Sequence, residues 1–355
     1  MTELLKPESP VMADPPGLGR SITMRDVARA AQVSQSTVSR VLSAPDSTSV
    51  PISEDTILRV QEAARVLGYQ PNLHARSLRG QRTQLIAMMV ADIANPYYHV
   101  MVRKVQDVAR TKGYDVLIAN SDHDPELERH FIQGIMRRPV DGVVLTPYHL
   151  TAAEIGALID RTGVRVVLVG QHLWPPGVDR VFADDESATY YAVRWLIKER
   201  GHSRIAYIAV PGTHPSKRRV AGLMRAIHEA GLSMPAEYLE TGDFMVESGE
   251  RATERLLALP QPPTVVLACN DLMALGCITK AQQLGRSVPG DLAVIGFDNI
   301  PEATRVSPKL TTIAQYPAEM GDQLASALFG RLLTGASGPD REIQIRCELI
   351  VRESA

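Results

Sequence analysis

Two kinds of hydrophobic pattern divide this chain. Between residues 23 and 69 apolar residues recur at intervals of three and four, the spacing of one helix face, whereas from residue 84 onward short apolar runs alternate with longer amphipathic stretches. In the first region Val27, Ala30 and Ala31 share one side of a short helix that Thr23 can cap together with Asp26, three residues on. Gln32-Val33-Ser34 is the break. Ser34 then serves as N-cap of a second helix, where Val38, Val41 and Leu42 form an apolar stripe and Gln35, Ser36, Thr37, Ser39 and Arg40 stay polar. A third helix starts after Ser53, with Glu54 and Asp55 in its first turn and Ile57, Val60, Ala64 and Leu67 facing inward. Three short helices with one apolar face each make a small common core.

The second region predicts strands at 85–90, 116–119, 142–145, 164–169, 205–209, 264–268 and 293–296. Between them it predicts helices at 97–112, 126–137, 152–161, 188–200, 217–230, 248–259 and 271–284. Apolar strands alternating with helices specify a parallel sheet covered on both faces. So many units exceed one open sheet of ordinary size. The expectation is an α/β core of two doubly wound parallel sheets, with a ligand cleft beyond the carboxyl ends of their strands.

Composition refines this division. At 355 residues and 45% hydrophobic, the chain is long enough for two or three domains with a substantial core. A net charge of -2 excludes a protein that coats nucleic acid over its whole surface, yet the charge is uneven. Residues 21 to 82 carry eight arginines against five acids, about +3 locally, and no carboxylate occurs between Glu62 and Asp92. Such a field attracts phosphates and makes binding salt-dependent. A short polar helix with a hydrophobic back also suits the major groove, where its first turn offers amide and hydroxyl groups to base edges. Cys269, Cys277 and Cys347 have no CxxC spacing or paired pattern, which reads as reduced thiols of a cytosolic protein and not as a disulfide framework or zinc site. Residues 1–20 hold four prolines and no apolar run of signal-peptide length. They are expected to form a disordered tail, on a cytoplasmic protein without a membrane span.

Asp26-Val27-Ala28, Val33-Ser34, Thr37-Val38-Ser39-Arg40-Val41-Leu42 and Gly68-Tyr69-Gln70-Pro71-Asn72 resemble the signature of the lactose-repressor (LacI/GalR) family. The resemblance implies a helix-turn-helix DNA-binding domain at 21–70, a hinge helix and linker at 71–82, and a two-lobed, periplasmic-binding-protein-like core at 83–355 that binds an effector and dimerises. By the same comparison lobe 1 takes about 83–171 and 313–340, and lobe 2 about 172–312 and 341–355. DNA contacts are expected from Thr23, Ser34, Gln35, Ser36, Thr37, Ser39 and Arg40. In the hinge they are expected from Asn72, Ala75 and Leu78, the leucine wedging into the minor groove. Residues 71–80 are too few for a stable isolated helix and, without the upstream motif, read as an ordinary linker. Two departures stand out. Gln32 occupies a position where the family usually has Gly, at a cost of about 1 kcal/mol if the turn is left-handed. The loop 43–51, with Pro45 and Pro51, is longer than the family norm and is expected to be exposed.

Residues that follow the strands should face the cleft. Asn95-Pro96-Tyr97-Tyr98 follows the first strand, and tyrosine rings can stack on the CH face of a pyranose while Asn95 both donates to and accepts from hydroxyls. By resemblance, Arg219 matches a ligand-contacting arginine, Phe244 a second stacking aromatic, and Asn270, Asp298 and Gln315 groups that bind hydroxyls. Each has a plainer reading, Tyr97 or Tyr98 as core and Asn270 or Asp298 as helix caps. Their convergence at strand ends favours one pocket. Sugar-binding relatives often carry Asp-Arg where this chain has Gly170-Gln171-His172, so Asp92, Tyr148, Gln171 and His172 are secondary candidates for selecting the ligand.

Catalysis finds no constellation here. Asp184-Asp185-Glu186 opens a helix, where first-turn dipole complementarity explains the acids better than a metal or acid-base site, and Asp271 reads as a structural helix-start residue. GxSxG, HExxH, a phosphate loop and GxGxxG after a strand are all absent, so neither an enzyme, a cofactor nor a metal is expected. The expected protein is a homodimeric transcription regulator, read as a repressor, that docks on a near-palindromic operator through the second helix of each subunit. Its effector is expected to be a carbohydrate or similar polyhydroxylated molecule, with a purine or nucleoside corepressor as the alternative. A solute-binding protein of a transporter, the competing class, would leave residues 21–69 without purpose.

Overall fold

The computed structural model describes residues 22–43, 52–69, 82–335 and 338–355. The expected tail 1–20, loop residues 44–51 and hinge residues 71–81, with Asn72, Ala75 and Leu78, lie outside the described residues. The chain divides between residues 81 and 82 into two units.

The amino-terminal unit consists of the helices Met24–Ala30, Gln35–Ser43 and Glu54–Leu67. The Asp26 carboxylate accepts from the Thr23 backbone N–H at 2.9 Å and from its hydroxyl at 2.6 Å, fixing the first helix start. Gln32 has φ +54°, the left-handed conformation that the glycine-to-glutamine departure implied. Ser34 accepts from the Thr37 N–H at 3.1 Å, and Gly68, at φ +63°, ends the third helix. Val27, Ala28, Ala31, Val38, Val60 and Ala64 form the buried centre, with Val33, Val41, Leu42, Leu67 and Tyr69 packed around it. Val27, Val38 and Val60 are fully buried, which contributes about 1.5–3 kcal/mol each relative to exposure.

The second unit is built on strands β1 Leu85–Val90, β2 Asp115–Asn120, β3 Gly142–Leu145, β4 Arg165–Val169, β5 Asp179–Ala183, β6 Ile205–Ala209, β7 Leu239–Thr241, β8 Val265–Ala268, β9 Ala293–Asp298, β10 Thr311–Ala314, β11 Glu342–Ile345 and β12 Glu348–Ile350. One six-stranded sheet runs β11-β5-β4-β3-β1-β2, all parallel. The other runs β12-β10-β9-β8-β6-β7, parallel except for β12, which lies antiparallel on β10. β3, β8, β9 and β10 are buried along their whole length and β1 at every residue after Leu85, as continuous apolar runs such as Ile86-Ala87-Met88-Met89-Val90 require. One helix pair approaches closely at two glycines. A Cβ on Gly249 would stand 2.1 Å from the Met273 carbonyl oxygen, and one on Gly276 2.1 Å from that of Val246, so the helices Val246–Leu257 and Asp271–Gln283 meet backbone to backbone.

The expected lobe borders need correction. β5 and β11 belong to the first sheet, so the border expected at 171/172 moves to Asp184 and the one at 340/341 to 346–347. β10 keeps residues 313 and 314 in the second sheet, which moves the remaining crossing to 315–316. Charge pairing explains why β5 is buried although it opens on Asp179 and Arg180. Asp179 accepts from Arg331, on the helix Pro317–Thr334, at 2.6 Å and from Arg341 at 2.7 Å, while Arg180 reaches Glu342 at 2.8 Å. Burial pushes the Asp179 carboxyl up, but the guanidinium hydrogen bonds outweigh it and hold it at about 2. β5, β7, β10, β11, β12 and the helix Pro317–Thr334 had no counterpart in the hydrophobic pattern.

Candidate functional site

Within the amino-terminal unit, the second helix presents its first turn outward. Ser34, Gln35 and Ser36 are exposed, and Thr37, Ser39 and Arg40 half-buried. The Ser34 hydroxyl lies 2.7 Å from that of Ser36 and 2.9 Å from that of Thr37, a short chain of hydroxyls at a helix start without acidic residues. Such a terminus attracts phosphate. Thr23 and Ser34 also have local work, as the cap partners of their own helices.

In the second unit a cavity opens at the carboxyl ends of both sheets. Asn95, Tyr97, Tyr98, Arg219, Phe244, Asn270, Asp298 and Gln315 all line it, as do Tyr148, Gln171 and His172. Asp92 does not; its carboxylate accepts from the Ala94 N–H at 2.8 Å and shapes the turn after β1.

Local structure aims each group. Asn95 caps the helix Pro96–Thr111 by accepting from the Tyr97 N–H at 3.0 Å, and that helix carries Tyr97 and Tyr98 against the core with their rings at the cavity. Both tyrosines thus pack in the core and line the cavity. The Tyr98 and Tyr148 hydroxyls lie 3.3 Å apart. Buried Glu128 accepts from the N–H groups of Tyr148, His149 and Leu150 at 2.8, 3.0 and 2.9 Å, which fixes the loop that carries Tyr148. Asn270 caps the helix Asp271–Gln283 through the Met273 N–H at 3.0 Å and donates to the Phe244 carbonyl at 2.9 Å. Asp271 does more than sit at a helix start: fully buried, it accepts from the Ile300 N–H at 2.9 Å and from the Thr312 hydroxyl, bracing the loop that follows Asp298. Asp298 has φ +125° and Phe244 φ +69°, backbone strain at two residues that face the cavity.

The electrostatics centre on one buried cation. Arg219 donates through Nε to Asp185 at 2.8 Å and through Nη1 to the Cys269 carbonyl, and its guanidinium lies 3.5 Å over the Phe297 ring. Asp185 is therefore more than a first-turn acid. Burial pushes its carboxyl up and the Arg219 charge opposes this. Burial likewise pushes Asp298 well above the ordinary carboxylate range, with Arg219 opposing and Asp271 adding to the rise, while Gln315 donates to its Oδ1. Burial lifts the Tyr148 phenol to about 12, so it remains a neutral donor.

Sequence reasoning missed several of the lining residues, among them His123, Thr146, Asp185, His214 and Arg218. Two stacked ring pairs span the lobes: His123 on Phe244, centroids 5.2 Å apart, and His172 on His214, 4.6 Å apart. Only the fold brings these pairs together. Among the described residues, no cluster of three His, Cys, Asp or Glu could hold a metal ion, and no helix is long and apolar enough to cross a membrane.

Residues 23–72 match the model of the bacterial regulatory proteins of the lacI family, and residues 196–355 match the periplasmic binding protein-like domain. The chain is 36% identical over 335 residues to the HTH-type transcriptional repressor CytR of Escherichia coli strain K12, covering 94% of this chain and 96% of that one. It belongs to the lacI family. Catabolite control protein A of Priestia megaterium is 34% identical over 88% of this chain and 92% of its own. Among solved structures, the lac repressor dimer bound to operator and the anti-inducer ONPF superposes with a TM-score of 0.80 at 25% identity, covering 94% of this chain and 99% of that one. The transcriptional regulator CelR-cellobiose complex gives 0.68 at 29% identity, covering 94% and 100%. As a lacI-family member the protein is a DNA-binding transcriptional regulator, not an enzyme.

Proposed function

We propose that this regulator is a cytoplasmic homodimeric repressor whose grip on a near-palindromic operator is set by a sugar-like, polyhydroxylated effector held between the lobes. One observation carries the reading: aromatic faces and a buried polar set of Arg219, Asn270, Asp298 and Gln315 surround one cavity at the strand ends of both sheets. Tyr97, Tyr98 and Phe244 offer faces and edges to a ring, and the polar set offers paired donors and acceptors to its hydroxyls. Both lobes contribute, so a ligand that touches each favours the closed cleft. Closure about the crossings at 184, 315–316 and 346–347 would shift the lobes and, through residues 71–81, the DNA-binding helices. A coupling of about 1–3 kcal/mol changes operator affinity about five- to 150-fold.

A nucleoside is the second reading. Its ribose would use the same polar set, while the aromatic and imidazole surfaces of His123, Tyr148 and Phe244 suit a flat base. A thermal-shift panel of sugars and nucleosides decides between them, since a ligand bound only by the folded state raises its melting temperature. A sugar hit that also changes operator affinity supports the first reading, and hits confined to nucleosides replace it with the second. An effector that binds but leaves operator affinity unchanged refutes the switch.

A further inference from the structure

At the rim of the same cavity three basic side chains meet, and the one carboxylate paired with any of them, Glu186 on Arg218, is shared with Arg225. His172 follows β4 in the first lobe; His214 and Arg218 stand one turn apart on the helix His214–Glu229 in the second. The two imidazoles are stacked at 4.6 Å, and neither buried ring nitrogen of His172 has a hydrogen-bond partner. The Nε of Arg218 is also buried and unbonded. A buried polar group left without a partner is unfavourable, so this arrangement is open to one.

The nearby acids are already committed. Glu186 is shared between Arg218 and Arg225, each at 3.3 Å, which leaves one guanidinium charge in excess. Asp185, which also faces His214, is paired with Arg219 at 2.8 Å. His172 is faced by His214, and His214 by Arg218 and Lys217 in addition to Asp185. Burial, reinforced by His214, pushes the His172 imidazole down to about 4, so in the absence of an anion it stays neutral. The helix His214–Glu229 has no acid in its first turn, and its positive end adds to the same field.

We propose that His172, His214 and Arg218 form an anion subsite that takes the phosphate of a phosphorylated effector, with the polyol ring seated at Arg219, Asn270 and Asp298. This rests on the polyol reading of the cavity. It deepens that reading: an anion held by His172 on one lobe and by His214 and Arg218 on the other clamps the cleft shut, so the phosphoester closes it more strongly than its parent sugar.

The test uses the full chain and a His172→Gln/Arg218→Gln double variant, with circular dichroism to establish that the variant is folded and the two single variants as back-up. Inorganic phosphate, against chloride at matched ionic strength, is followed by thermal shift. Ribose and glucose are compared by calorimetry with ribose 5-phosphate and glucose 6-phosphate. The expected result is a phosphate-dependent rise in melting temperature and at least tenfold tighter binding of an ester than of its parent. Both are lost in the variant, in which ester and parent sugar bind within twofold of each other. Absence of a phosphate shift, equal affinity of ester and parent, or an ester preference that survives in the variant overturns the anion subsite and leaves the polyol reading standing. Binding of phosphate in the wild type alone, with no sugar or ester bound more tightly than phosphate itself, keeps the anion subsite and overturns the polyol reading.

Discussion

The Asp185–Arg219 pair allows a quantitative test of what holds the cleft in shape. Both side chains are buried, at 11% and 5% exposure, with Nε and Oδ1 2.8 Å apart. Opposite charges about 4 Å apart attract by about 4 kcal/mol at an effective dielectric near 20. Removal of one partner leaves the other charge uncompensated, so Asp185→Leu and Arg219→Met should each destabilise by about 3–5 kcal/mol. The double variant, which removes both charges and keeps apolar volume, should fall within about 1 kcal/mol of wild type. Urea unfolding followed by circular dichroism supplies the numbers, compared at equal m-value. The pH dependence separates the two single variants. In Arg219→Met, Asp185 can take up a proton in its buried site, so the loss should shrink as pH falls; in Asp185→Leu, Arg219 cannot shed one, and the loss should hold constant. Costs that add in the double variant within about 0.5 kcal/mol would refute the reasoning.

Three further outcomes follow from other parts of the molecule. Arg40→Ala should weaken binding to a site selected from random duplex DNA by about 1–3 kcal/mol while effector affinity stays within twofold; equal loss of both functions would instead indicate unfolding. Gln32→Gly should stabilise the amino-terminal unit by about 0.5–1 kcal/mol, because glycine adopts φ +54° without a Cβ clash, and slower amide exchange in the first two helices would record it. Asp179, held at about 2 against an ordinary 3.8, contributes about 2 kcal/mol that is fully present above about pH 4 and lost as pH falls through about 2. Asp179→Asn should erase that acid step and, by leaving Arg331 buried without its carboxylate, destabilise by about 3 kcal/mol at neutral pH; an unchanged acid-unfolding curve would contradict this.

What the sequence by itself determined is what depends on neighbours a few residues apart. Val27, Ala31 and Val38 mark helix faces, Ser34 and Ser53 mark helix starts, and Gln32 marks a turn, because caps and periodicity act over three or four residues. The long apolar strands were legible for the same reason, and so was the position of Asn95, Tyr97 and Tyr98 just after the first of them, whereas Arg219, Phe244, Asn270, Asp298 and Gln315 were expected from the family resemblance. The tertiary structure decided the rest. β5 opens on two charged residues and β11 is a four-residue alternation too short to stand out, and Asp179 ties this part of the sheet together by meeting Arg331 and Arg341 more than 150 residues away. The lobe crossings shifted with them. Asp185 looked like one of three helix-start acids until the fold placed Arg219 beside it, 34 residues on. His123 with Phe244, and His172 with His214, meet only when the lobes face each other. No local spacing encodes such pairs, because long-range side-chain contacts depend on the relative placement of two sheets, which packing sets after every strand has formed.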